Sequence, residues 1–251
     1  MIKKVALHFF GQLRYVEAQH SIYPLLKFFR DREFEVDTYG TFWDDEYTQK
    51  QIREDIFKDY KSVKLITEPK VADGDLQKYF YSLENTINQR KGEYEFIIFS
   101  RYDINFKINE VSSFSKFYNK LINQSDKPSI FFIPGTRLET KNGRKKIDDK
   151  LFICNSSGAD KICRTYSKFK NKDIDILNLR YHSSLLSSVE FFKLELFENI
   201  KFFTYTLIRH DYTIGINLDN TLEYENVLLR DYIKRFQDYN EMKKFIDEVC
   251  N

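Results

Sequence analysis

Residues 96–99 are an unbroken apolar run, Phe-Ile-Ile-Phe, and Ser100, Arg101, Tyr102 and Asp103 follow at once. A carboxylate such as Asp103 can hold a divalent metal or a ribose hydroxyl, and an arginine such as Arg101 can grip phosphate with two parallel hydrogen bonds. The same pair also suits a plain ion pair at a strand end. A second cluster opens the chain. Residues 5–10, Val-Ala-Leu-His-Phe-Phe, run into Gly11, Gln12, Leu13 and Arg14. Glycine permits a sharp turn and a close backbone approach by a ligand. Gln12 can read a base or sugar edge, and Arg14 can meet phosphate. An ordinary strand-to-helix turn would use the same glycine.

Both clusters depend on strands to carry them. Short apolar runs bounded by polar residues predict strands at 5–10, 34–42, 63–66, 96–99, 129–133, 151–154 and 200–207. Helical spacing predicts helices over 16–30, 46–60, 75–90, 114–122, 159–169 and 188–198, with one or two amphipathic helices in 226–249. Residues 136–146 read as a polar loop or hairpin tip around Asn142-Gly143. Strands alternating with helices predict an α/β fold, a mostly parallel, Rossmann-like sheet flanked by helices. Such sheets collect ligands at the carboxyl ends of their strands, where both clusters stand.

Composition narrows the classes. The chain has 251 residues, 42% hydrophobic and 31% charged, which suits a globular protein with an ample core. Forty basic residues against 38 acidic ones leave a net charge of +2, so no long-range grip on nucleic acid is expected. The 24 Phe and 17 Tyr accompany heavy use of Lys, Asn and Ile, a bias that an AT-rich genome also produces. Cys154, Cys163 and Cys250 lack metal-ligand spacing and suit a reducing compartment. The apolar start is too short for a secretion signal, and no run reaches the ~18 apolar residues of a membrane span. The expectation is a cytoplasmic protein, at most peripheral to the inner membrane.

In order along the chain stand VALHFFGQLR, EVDTYGTFWDD, FIIFSRYDINF, IDDKLFICNSSGADKI and SSVEFFKLELFENIKFF. This order, over residues 3–207, resembles the small GT-A-type glycosyltransferases of bacterial lipopolysaccharide and capsule loci and of some large DNA viruses. There an opening strand ends in a Gly-Gln-x-Arg-like turn. A later strand ends in Arg-x-Asp, where other GT-A enzymes carry Asp-x-Asp. A downstream Asp-x-x-Phe segment and a helix opening with Glu face the acceptor. The resemblance implies one GT-A-like domain, with a nucleotide-binding half (1–110), an acceptor-side half (111–223) and C-terminal helices (224–251). It implies transfer of a sugar from a nucleotide-diphosphate donor to a glycan or lipid-linked glycan acceptor. The alternative is a nucleotide-sugar-binding or partner-binding module without catalysis.

Carried over residue by residue, the resemblance implies that Gly11, Gln12 and Arg14 line the nucleotide pocket, with Thr41, Trp43 and Asp44 flanking base or ribose. It puts Arg101 and Asp103 at the diphosphate, Asp103 reaching a divalent Mn²⁺ or Mg²⁺. One carboxylate and one cation replace the usual two carboxylates, so Arg101 can take over part of the metal's charge. Glu190 is the first candidate for general base and Asp149 the second. Each has a plainer reading. Trp43, the lone tryptophan, suits packing. A glutamate in a first helical turn meets the positive dipole end. Asp148 and Asp149 suit a solvated loop, and His182 and His210 suit ordinary structural roles.

Overall fold

The computed structural model describes residues 3–13, 22–51, 57–67, 75–102, 104–108, 111–132, 151–171, 188, 191–197, 203–208 and 213–215. Its strands are β1 (Lys3–Gly11), β2 (Phe34–Trp43), β3 (Ser62–Ile66), β4 (Phe96–Arg101), β5 (Ile104–Ile108), β6 (Ser129–Phe132), β7 (Leu151–Cys154), β8 (Glu195–Phe197), β9 (Phe203–Ile208) and β10 (Thr213–Gly215). Its helices are α1 (Ile22–Arg30), α2 (Glu46–Gln51), α3 (Asp75–Ile87), α4 (Val111–Ile122), α5 (Ser156–Cys163) and α6 (Thr165–Lys170).

Seven strands form one sheet in the order β3-β2-β1-β4-β7-β6-β8. β1 is parallel to both β2 and β4, β2 to β3, and β6 to β8, while β7 runs against β4 and β6. The mostly parallel α/β sheet expected from the sequence is therefore present. β5, β9 and β10 form a second, antiparallel sheet.

Period-two alternation explains why the central strands read as continuous apolar runs. Val5, Leu7 and Phe9 of β1 join Phe96 and Ile98 of β4 in a core that takes in Leu25, Leu26, Phe28 and Phe29 of α1 and Phe114 of α4. Ala6 and Phe10 join Ile97 and Phe99 in the opposite core, under Phe80, Leu83 and Ile87 of α3 and Ile162 of α5. Both faces are covered, so both sets of alternating side chains must be apolar. The helix leading from β1 to β2 lies on one face, and the one returning from β3 to β4 lies on the other. A single crossover hand requires this, because reversing direction across the sheet reverses the face. The reversal happens between β1 and β4.

Tertiary pairing overrules several local readings. The helix expected over 188–198 is helical at Ser188, Phe191 and Phe192 and then gives way to β8, because Glu195, Leu196 and Phe197 pair with Ser129, Ile130 and Phe131, and Phe197 stacks on Phe131 at 4.9 Å. The helix expected over 159–169 is two helices, α5 beginning at Ser156 and α6 at Thr165. The helix expected over 46–60 is α2 within the described residues, and Phe57 and Tyr60 form a turn with Phe57 stacked on Phe42 at 5.5 Å. The segment after Asp103 is a strand of the second sheet. Among the described residues no helix is long and apolar enough to cross a membrane. The helices expected in 226–249 and the loop expected at 136–146 lie outside the described residues.

Candidate functional site

The two polar clusters stand at adjacent strand ends. Phe10 is the register partner of Arg101 across the β1–β4 pair, and Gly11 pairs with Phe42 across β1–β2. The strand order turns back at β1 and β4, and open sheets bind ligands outside the carboxyl ends at such a point.

Each end is anchored from below. Gly11 has φ +105°, a backbone that favours glycine, and a Cβ built there would meet nothing within 4 Å. The glycine therefore serves the turn and faces open space. Leu13 goes straight back into the core, wholly buried, which leaves the half-buried Gln12 at the bend. On β4, Tyr102 folds into the core with its ring edge-on to Phe42 at 5.2 Å and to Phe9 at 6.5 Å. Alternation carries the half-buried Arg101 to the opposite face, that of Ile97 and Phe99.

A contact between loops joins the β1 end to the β2 end. The Gln12 side-chain amide donates to Asp45 Oδ2 at 3.0 Å, and Asp45 Oδ1 accepts from the Thr48 backbone N–H at 2.6 Å. Asp45 thus caps α2 and holds Gln12 with the same carboxylate. The neighbouring Asp44 is exposed and accepts from the Gln49 amide at 2.6 Å.

The expected site residues separate in this geometry. Gly11, Gln12 and Arg101 come together at the ends of β1 and β4. Trp43 closes β2 at the same edge, one residue beyond the Phe42 that pairs with Gly11, and is half-buried with its ring stacked at 6.3 Å on Tyr81 of α3. Thr41 is wholly buried, and its hydroxyl accepts from the Gln89 amide at 2.6 Å while the same nitrogen also donates to the Gly40 carbonyl. It ties the end of α3 to β2 and offers no surface to a ligand. Arg14, Asp103, Asp149 and Glu190 lie outside the described residues, as do His182 and His210. Among the described residues no group of three or more His, Cys, Asp or Glu comes together as a metal site.

Two residues with clear parts in this site carried no expectation from the sequence. Asp45 could have been found from its position ahead of Glu46-Tyr47-Thr48, a helix-capping pattern. Tyr102 had no such signal, since a tyrosine between arginine and aspartate reads as a surface residue.

No family model matches the chain, and no curated protein matches it. Solved structures do. One is a glycosyltransferase involved in glycosylation of the major capsid of PBCV-1, with 10% identity, 78% of this chain and 81% of that chain covered, and a TM-score of 0.40. Another, from Desulfovibrio desulfuricans G20, is assigned as a nucleotide-diphospho-sugar transferase, with 9% identity, 79% and 80% covered, and a TM-score of 0.37. A third is mouse xyloside xylosyltransferase 1 in its apo form, with 12% identity, 67% and 72% covered, and a TM-score of 0.34.

Proposed function

We propose that this chain is a nucleotide-sugar-dependent glycosyltransferase. It moves a hexosyl or pentosyl unit from a nucleotide-diphosphate donor to a glycan or lipid-linked glycan acceptor in surface-polysaccharide or related glycan synthesis. It works in the cytoplasm, with peripheral contact to the inner membrane where the acceptor is lipid-linked. The observation that carries this reading is the shared rung of Phe10 and Arg101, which sets the Gly11 turn and the Arg101 corner side by side at the reversal of strand order.

The chemistry asked of the chain is modest. Breaking the bond between the sugar's anomeric carbon and the diphosphate leaves negative charge on the departing oxygen. Arg101 is the group proposed to stabilise it, with Arg14 on the same phosphates. Asp103 is the residue proposed to hold Mn²⁺ or Mg²⁺, which when bound would supply further charge neutralisation. Gln12 and Trp43 are proposed for the nucleoside. Glu190, or failing it Asp149, is proposed to take the proton from the acceptor hydroxyl if the reaction inverts the sugar's configuration.

Thermal unfolding with a panel of nucleotide diphosphates and nucleotide sugars, with and without Mn²⁺ or Mg²⁺, tests the reading, since a ligand that binds only the native state raises the midpoint. A shift with at least one nucleotide diphosphate is expected, with its metal-dependent part lost in Asp103→Ala. No shift with any nucleotide under any condition overturns it. Glu190→Gln should retain donor binding and lose turnover, whereas full activity would move the base to Asp149. Donor binding without turnover of any donor would leave the binding-module alternative.

A further inference from the structure

We propose that Tyr81 and Tyr166 form a surface that holds a neutral stretch of glycan beside the nucleotide site, with Trp43 at the border between the two. The inference rests on the glycosyltransferase reading above and adds to it a grip on the acceptor chain away from the reacting sugar. The three rings make one row. Trp43 closes β2 with its ring stacked on Tyr81 of α3 at 6.3 Å and 24°, and Tyr81 meets Tyr166 of α6 edge-on at 4.8 Å. All three are half-buried. Trp43 and Tyr81 belong to neither hydrophobic core, and Tyr166 is a partly buried neighbour of the core beneath α3. Among the described residues nothing pairs with the Tyr81 hydroxyl, the Tyr166 hydroxyl or the Trp43 ring N–H, and none of these three atoms is buried, so they reach solvent. Rings with an apolar body and an open polar tip suit a partner with an apolar face and a hydroxylated rim, which is what a sugar ring presents. The surrounding charge favours a neutral one. Asp44 is exposed next to Trp43. The Glu84 carboxylate accepts from the Ser167 N–H and hydroxyl at 2.9 and 2.6 Å, one residue from Tyr166. The exposed Lys64 donates to Asn85 at 2.6 Å, so both signs flank the row. Bases of a single-stranded nucleic acid would also stack on such rings, but their phosphates need a basic track along them.

Trp43 is the lone tryptophan, so its emission reports binding at this place in the full chain. The probes are maltohexaose, cellohexaose, mannohexaose and chitohexaose, with affinity measured by titration calorimetry. At least one should bind and shift the Trp43 emission. Tyr81→Leu and Tyr166→Leu should each weaken that binding by about tenfold or more, as loss of an interface aromatic commonly does. Leucine keeps apolar bulk but has neither a flat face nor a hydroxyl. Both variants should bind a nucleotide diphosphate within about twofold of wild type, a difference of ~0.4 kcal/mol. Tyr81 lies outside both cores, so Tyr81→Leu decides alone should Tyr166→Leu fail to fold. Binding of no hexasaccharide, or an affinity unchanged in Tyr81→Leu, overturns the inference while leaving the nucleotide reading intact. So does salt-sensitive binding of an oligothymidylate to the same two tyrosines in place of any hexasaccharide. Failure of every nucleotide to bind the wild type would defeat the underlying reading, and this inference with it.

Discussion

Phe10 and Arg101 are register partners on parallel strands, so the Gly11 turn and the Tyr102 corner both begin one residue beyond the same rung. Phe10 belongs to the core beneath α3, while Arg101 stands half-buried at the rim. A rim arginine can be removed with little loss of packing. Arg101→Ala should still fold, with a stability loss of about 1 kcal/mol, the central value for single substitutions. It should weaken a nucleotide diphosphate by roughly 10- to 100-fold, the worth of a charge-assisted contact of about 1.5–3 kcal/mol, and leave the matching nucleoside unchanged. Titration of both ligands checks this. Equal loss for nucleoside and diphosphate would remove Arg101 from the phosphates.

Gly11 and Gly158 should fail for different reasons. At Gly11 the space around a Cβ is open and the backbone, at φ +105°, is the obstacle. Gly11→Ala should cost about 1–3 kcal/mol through backbone strain alone. At Gly158 a Cβ would sit 2.3 Å from the Ser129 carbonyl oxygen, where α5 presses on β6. Backbone there cannot move without breaking the Asn155 contacts that accept from both Gly158 N–H and Ser129 N–H, at 2.8 and 3.0 Å. Gly158→Ala should therefore lose more stability than Gly11→Ala in urea unfolding, yet leave nucleotide affinity alone in the folded fraction.

The strand ends could be read in advance because strands covered on both faces spell themselves as unbroken apolar runs, as in residues 5–10 and 96–99. What lies beyond each end was less legible. Thr41 at the end of β2 has the same letter whether it meets a ligand or a helix, and its true partner, Gln89, stands 48 residues away. Asp45 announces its helix cap locally, but nothing local shows that its second oxygen receives Gln12 from 33 residues upstream. β8 is three residues long inside a pattern that suits a helix, and only its pairing with β6 makes it a strand. The Asn-Ser-Ser-Gly of the resemblance resolves into a cap on α5 and a close helix–strand approach, a packing role throughout.

Thr41 offers a direct separation of packing from binding. Its hydroxyl accepts from Gln89 in a wholly buried setting, so Thr41→Val leaves that donor one partner short. The expected loss is about 1–3 kcal/mol of stability, the cost of a buried polar group left partly unpaired. Nucleotide affinity, measured below the lowered midpoint, should stay within about twofold of wild type, a difference of ~0.4 kcal/mol. A large drop in affinity with unchanged stability would return Thr41 to the ligand pocket.

His8 makes the fold sensitive to acid. It lies in the middle of β1, wholly buried, with its ring stacked between Tyr39 at 4.8 Å and Phe99 at 5.2 Å. Burial, helped by the Arg90 charge and opposed by the Thr86 backbone, drives its imidazole from the ordinary 6.5 down to about 3. The unfolded chain therefore takes up a proton below 6.5 that the folded chain refuses until about 3. Stability is unaffected by this group above pH 6.5 and falls as pH drops through that window, at up to ~1.4 kcal/mol per pH unit. Between about pH 6.5 and 5, above the range where most carboxylates titrate, the loss from His8 alone should be roughly 1.5–2 kcal/mol. Denaturant unfolding of wild type and His8→Leu across this range checks it. The difference between the two should grow steadily in favour of the variant as pH falls, because leucine has no proton to refuse. Parallel profiles would mean that His8 accepts a proton within the folded core, and the burial of its neutral form would not be what the acid sensitivity reports.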